Sequence, residues 1–189
     1  MNHLREKLVL ASSSPRRAEI LERAGWPYEI IVAGIDETLL PNEQAAAYVQ
    51  RLARSKAEAV ASRLEQGLVL GADTTVVVGN QILGQPVDHA DARRMLDLLN
   101  AKWHEVLTGV ALVRVGGETR VAYETTRVRF AEMSKREIDW YISTGEPFGK
   151  AGAYAIQGKA SLFIEEIEGD YFNIMGLPIR LVYELTRQE

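Results

Sequence analysis

The chain has 189 residues, 47% apolar and 25% charged, which fits one globular domain, whole or split into two lobes, and excludes intrinsic disorder, collagen-like repeats and low complexity. Lys plus Arg number 22 against 26 Asp plus Glu, a net charge of -4, so coating by nucleic acid is excluded and an anionic partner has to be met by a local basic site. With no cysteine there is no disulfide, thiolate zinc site or cysteine nucleophile, and His3, His89 and His104 form no two-histidine metal pattern, which leaves oxygen ligands for a metal.

In chain order, Leu8–Ala11 reads as a short apolar strand that runs into Ser12, Ser13, Ser14 and Pro15. There a helix begins, with Ser14 as its N-cap and Pro15 in its first position, and Gly25 stops it. Tyr28–Val32 predicts a second strand, and Glu43–Gln66 a long amphipathic helix carrying Tyr48, Val49, Leu52, Ala53, Val60 and Leu64 on one side. A third apolar strand closes at Gly71, Ala72 and Asp73, and residues 76–83 predict a hairpin turning at Gly79 and Asn80. Asp88 caps a helix through Leu99, and residues 106–115 and 120–130 form a second hairpin around Gly116 and Gly117. Ser134 and Glu137 make a capping box for the next helix. A loop follows at 149–158, then a strand at 161–167, a turn at Gly169 and Asp170, and a last helix opened by Leu177, Pro178 and Ile179. Hairpins mixed with crossover helices imply an α/β fold on a mixed sheet. No segment has the length of a signal-peptide core or a membrane span, so a cytoplasmic, soluble protein is expected.

Ser12, Ser14, Arg16 and Arg17 are the sharpest local feature. Two cations at the positive end of a helix dipole are unfavourable, by roughly 0.3 to 1 kcal/mol each at a surface site, unless an anion binds there. Backbone N–H groups, hydroxyls and guanidiniums then converge on phosphate; the alternative is a plain capped helix with solvated arginines. Asp73, at the carboxyl end of its strand, can hold Mg²⁺ or orient a water, or simply accept backbone hydrogen bonds. Asp36 and Glu37 are a second acidic pair with oxygens for a hard cation, or a solvated turn. The stretch 145–158, rich in glycine, suits close backbone approach to a ligand, or serves as a connector. Within it Gln157 offers one donor and one acceptor to the edge of a pyrimidine base. His104, Trp26, Trp103 and Trp140 read as packing residues.

Taken in register, SSSPRR at 12–17, GADT at 71–74, the stretch from His104 to Gly109, GEP with KAGAYAIQG at 145–158 and GDYFNIMGLP at 169–178 resemble the Maf family of nucleoside triphosphate pyrophosphatases nearly end to end. The resemblance implies a mixed, twisted central sheet with flanking helices, in two lobes around a cleft, as in inosine triphosphate pyrophosphatases. It further implies hydrolysis of a nucleoside triphosphate to the monophosphate and pyrophosphate with Mg²⁺ or Mn²⁺. By the same resemblance Asp73 is the proton acceptor, and Ser12, Ser14, Arg16 and Arg17 line the triphosphate site. Glu37, a metal ligand together with Asp73, and Lys56 complete the active site.

Arg16, Thr74 and Gln157 are the residues of the branch that resembles this chain and acts on dTTP and UTP, whereas the branch acting on 7-methyl-GTP has an aromatic residue, a glutamine and a glutamate there. Two positions depart from the family pattern: Gln85 stands where a lysine usually precedes Pro86, and Gly149 where an aspartate often precedes Lys150. The expectation is a cytoplasmic enzyme, a homodimer without stable nucleic-acid or membrane binding. The rivals are 7-methyl-GTP hydrolysis and a non-hydrolytic nucleotide-binding regulator of septum formation.

Overall fold

The structure, a computed structural model, describes residues 6–187, so His3 lies outside the described residues. The elements run β1 (Leu8–Leu10), α1 (Pro15–Arg23), β2 (Tyr28–Ile30), α2 (Ala45–Ala61), β3 (Leu68–Val78), β4 (Gln81–Leu83) and α3 (His89–Leu99). They continue β5 (Trp103–Arg114), β6 (Thr119–Phe130), α4 (Lys135–Ser143), β7 (Ile164–Glu168), α5 (Tyr171–Met175) and α6 (Ile179–Arg187), with 3-10 turns at Ala151–Ala153 and Lys159–Phe163. Seven strands form one mixed sheet in the order β2-β1-β3-β5-β6-β7, with β4 paired to β3. No helix among the described residues is long and apolar enough to cross a membrane.

The chain divides into two compact units. The first comprises residues 6–73, 108–124 and 176–187, and the second 74–107 and 125–175. In the first, β1 pairs in parallel with β2 on one side and β3 on the other, with Leu8 opposite Tyr28 and Leu68. The connections through α1 and α2 therefore step in opposite directions from β1, and right-handed crossovers put the two helices on opposite faces of the sheet. Between β1 and β3 the strand order switches, which is where open α/β sheets hold ligands at the carboxyl ends of their strands.

Two glycines fix the height of α2 over this sheet. A Cβ on Gly71 of β3 would land on the carbonyl oxygen of Ala53 and come within 2.9 Å of the Ala57 amide nitrogen. A Cβ on Gly109 of β5 would land on the Val49 carbonyl and 2.7 Å from the Gln50 amide nitrogen. The helix thus rests almost directly on the strands. Around the contact Val9, Ala11, Ala53, Ala57, Val60, Val69, Ala111 and Val113 form a small-residue core.

In the second unit the latter half of β3 turns at Gly79 into β4, with Val78 opposite Gln81, as the sequence predicts. β6 pairs antiparallel with β7, Arg127 opposite Glu168 and Arg129 opposite Glu166. His104, Phe130 and Tyr154 stack edge to face with centroids 5.0–5.4 Å apart. Both side-chain caps form as expected, Asp88 on the Asp91 amide and the Ser134–Glu137 box.

Several expectations are corrected. Asp73 does not close its strand: β3 continues through the β-branched run Thr74–Val78, which β4 pairs, so Asp73 lies in mid-strand. Ser14 holds the N-cap position of α1 but makes no side-chain cap. Helix α2 is shorter than predicted, because after Ala61 the chain tightens into turns, Arg63 N–H to Val60 and Leu64 N–H to Ala61. Residues 161–163 are a 3-10 turn, with the Ser161 amide on Gly158. After the turn at Asp170 the short helix α5, unforeseen, is started by the Asp170 carboxylate accepting from the Phe172 amide. Trp140 is 44% exposed and is not a core residue.

If the glycine seat sets the packing, Gly71→Ala forces backbone against backbone and should cost about 3 kcal/mol, the upper end of overpacking losses. Gly34→Ala, where nothing lies within 4 Å of an added Cβ, should be silent. Urea midpoints of the two variants check this, and equal midpoints would overturn it.

Candidate active site

The first unit gathers most of the candidate residues. Parallel strand β1 ends at Leu10, opposite Leu70, so the turn that follows it opens at the same end of the sheet as Asp73. Ser12 and Asp73 are 7% exposed, Arg17 and Lys56 8%, so four polar side chains are buried here. Buried charges survive only when paired or when a ligand completes them.

The turn is built around Ser12. Its Oγ accepts the Ser14 amide at 3.2 Å and the Arg17 Nη1–H at 2.9 Å, which occupies both lone pairs and leaves its own proton to donate. Arg17 also donates Nε–H to the Gly176 carbonyl at 2.8 Å, so this guanidinium ties the turn to the segment ahead of α6. Burial holds Arg17 below its ordinary pKa, with the Asp73 carboxylate pulling the other way. Arg16 is different: half-buried, it makes no hydrogen bond to another described residue. The first turn of α1 carries neither a side-chain cap nor an acidic residue, so its amides keep their positive potential. The two arginines thus divide the work, Arg17 holding the turn and Arg16 presenting charge.

Lys56 is the centre of the second cluster. Its Nζ donates to Asp73 Oδ1 at 2.7 Å and pairs with Glu37 Oε1 at 2.9 Å. Gly71 lies two residues before Asp73, on the same face of β3, and contacts Ala57, the neighbour of Lys56. The close approach of helix and strand is therefore what brings ammonium and carboxylate together. Burial raises the Asp73 carboxyl above its ordinary value, against the pull of Lys56 and Arg17.

The acidic pair splits in function. Asp36 Oδ1 accepts from the Thr38 amide and hydroxyl at 2.9 and 2.6 Å, a local turn, and only Glu37 faces Lys56. Tyr48 on α2 donates its hydroxyl to the Glu37 carbonyl at 3.0 Å and feels Asp73 and Glu37, which with burial raise its pKa. The sequence offered Tyr48 only as a helix-face residue, with nothing to mark its partner. For Lys56 a signal existed: residues 49, 53, 56, 57 and 60 are the buried stripe of α2, and Lys56 is its one charged member.

Thr74 and Gln157 belong to the second unit. Gln157 is exposed, next to buried Ile156, in a turn closed by the Gly158 amide on the Ala155 carbonyl at 3.0 Å. Gln85 is exposed beside buried Pro86. Gly149 has φ 72°, a left-handed conformation that glycine takes at no steric cost and aspartate tolerates. His104 is buried, its Nε2 2.9 Å from the Tyr154 hydroxyl, and its pKa is pushed down to about 4 by burial, so it is a neutral packing residue.

As a fold and a site, this is an α/β protein in which a serine-rich turn, the uncapped amides of a helix start and two arginines lie in the same unit as a buried carboxylate. The chain belongs to the Maf-like protein family, whose sequence profile matches residues 7–189. It is 50% identical over 183 residues to a dTTP/UTP pyrophosphatase of Symbiobacterium thermophilum, covering 97% of this chain and 94% of that one. It is also 50% identical over 183 residues to a dTTP/UTP pyrophosphatase of Bacillus cytotoxicus, covering 96% and 95%. Among solved structures the Staphylococcus aureus Ham1 protein has a similar fold, with a TM-score of 0.56 at 15% identity over 95% of this chain and 97% of that one.

The raised Asp73 carboxyl has a thermodynamic consequence. A group whose pKa is higher folded than unfolded stabilises the fold below its unfolded value, near 3.8, and that stability is lost as pH rises through the folded value. Ionised Asp73 is thus a cost at neutral pH, and Asp73→Asn, with Lys56 still paired to Glu37, should melt no lower than wild type at pH 7. The difference should vanish toward pH 4. Melting curves of both proteins across that range check it, and a variant that melts well below wild type at pH 7 would contradict it.

Proposed function

We propose that this protein is a cytoplasmic nucleoside triphosphate pyrophosphatase that hydrolyses dTTP and UTP to the monophosphate and pyrophosphate. The observation that carries the reading is the buried Asp73 carboxylate, raised in pKa and held by Lys56, on the strand next to a turn prepared for phosphate. The choice of dTTP and UTP is supported by the names of relatives half identical to this chain over nearly its whole length.

The phosphate chain is held by the amides of the first turn of α1, the Ser12 and Ser14 hydroxyls and the Arg16 guanidinium, while Arg17 keeps Ser12 oriented as a donor. Asp73 takes a proton from a water that attacks the α-phosphorus, and a carboxyl raised toward neutrality is better matched to that task than an ordinary one. Lys56 neutralises charge beside it. The α–β bridging bond breaks, pyrophosphate leaves, and no covalent intermediate forms. Glu37 and Asp73, both within reach of one ammonium, fit as the oxygen ligands of Mg²⁺ or Mn²⁺ with phosphate oxygens completing the shell, although no cluster of three or more such ligands exists among the described residues. Such a cation, when bound, offsets phosphate charge and favours departure of pyrophosphate. Thr74 contributes a hydroxyl to the substrate, and Gln157 pairs its carbonyl and amide with the imide N–H and a carbonyl of thymine or uracil.

Product analysis tests the reading. Incubation with dTTP should yield dTMP and pyrophosphate, EDTA should abolish turnover, and Asp73→Asn should lower the rate by about 10² to 10⁴ with the fold intact. Release of orthophosphate with accumulation of the diphosphate would reject it.

A further inference from the structure

Resting on the assignment of Gln157 to the base, we propose that Tyr141 and Glu146 are positioning residues that clamp the turn carrying Gln157 and so set the preference for thymine and uracil. The turn is gripped on both sides. Ahead of it, the Ala155 amide donates to the Tyr141 hydroxyl at 3.3 Å. Behind it, the Lys159 and Ala160 amides donate to the two Glu146 carboxylate oxygens at 3.0 and 3.2 Å. Tyr141 donates its own proton to Glu146 Oε1 at 3.0 Å, which joins the two grips into one unit.

The fit leaves no slack. A Cβ on Gly158, the residue after Gln157, would lie 2.5 Å from the Glu146 carboxylate, so only glycine lets the turn close onto it. Tyr141 is fully buried at 0% exposure in α4, which gives the clamp a rigid base. Glu146 is kept ionised: burial pushes its carboxyl up, but the two amides and Tyr141 outweigh it and the pKa is lowered. The polar contacts of Tyr141 and Glu146 go to the turn and to each other. Their contribution to recognition therefore passes through Gln157.

Tyr141→Phe keeps the ring and removes the hydroxyl that joins the two grips. At about the worth of one or two hydrogen bonds, it should lower kcat/KM for dTTP and UTP by roughly 3-fold to 10-fold through KM, with kcat nearly unchanged. Any turnover of dGTP, whose base lacks the thymine and uracil edge, should not move, so the preference ratio falls. Glu146→Gln should act in the same direction and stands in should Tyr141→Phe not fold. Gln157→Ala is measured alone and combined with Tyr141→Phe: loss of preference in the single variant, with no further loss in the double, supports the clamp. Full loss in Gln157→Ala with preference intact in Tyr141→Phe and Glu146→Gln overturns the clamp and leaves the assignment of Gln157 standing. Unchanged preference in Gln157→Ala overturns both, and equal losses for all triphosphates in Tyr141→Phe reduce the clamp to a structural support.

Discussion

Helix α2 lies on β3 and β5 at the separation two glycines permit, and the chemistry of the first unit follows from that distance. With side chains in place of Gly71 and Gly109 the helix would stand off, and Lys56 could not reach Asp73 at 2.7 Å while both remained buried. Buried ion pairs are poor sources of stability, because desolvation of the two charges opposes their attraction. Here desolvation prevails at Asp73, whose pKa is raised despite two neighbouring cations. A fold selected for stability alone would place apolar residues there, so the pair is what the proposed role of Asp73 would require.

The same logic separates the arginines. A cation at a helix N-terminus is misplaced in isolation, yet Arg17 donates to the Gly176 carbonyl and the Ser12 hydroxyl. It therefore builds the turn that presents Arg16 and the helix amides. An exchange of Arg17 for lysine would keep the charge but lose the fork that spans two acceptors. The absence of a Ser14 side-chain cap belongs to this arrangement, since a capped first turn would have fewer amides to offer an anion.

In the second unit, the late loop holds two successive residues at positive φ. Gly152 has φ 68° and lies against Val76, and the buried Ala153 follows with φ 60°, a conformation disfavoured for any residue with a Cβ. The surroundings over-determine this backbone: the Gly152 amide donates to Gly84, and Tyr141 and Glu146 hold the segment that follows. A loop fixed this firmly suits recognition better than a mobile one, because little ordering remains to be done when a ligand arrives.

Local signals carried much of the molecule in the sequence. The β-α alternation, the Gly79–Asn80 hairpin, the Asp88 cap and the Ser134–Glu137 box each depend on neighbours within a few residues, and the structure has them where the sequence placed them. The Ser12–Arg17 turn was legible for the same reason, as cations in an electrostatically wrong place. What the sequence could not decide were matters of long-range pairing. Whether β3 stops at Asp73 depends on a partner strand further along the chain, and residues 161–163 are turned into a 3-10 segment next to amides that Glu146 takes, 13 and 14 positions back. Asp36 and Glu37 are indistinguishable as a pair in sequence, and only the approach of α2 to the sheet sends one to its own turn and the other to Lys56. Hydrogen bonds and burial over such separations are fixed by packing, so the partners of Tyr48, Tyr141 and Glu146 came from the tertiary structure alone.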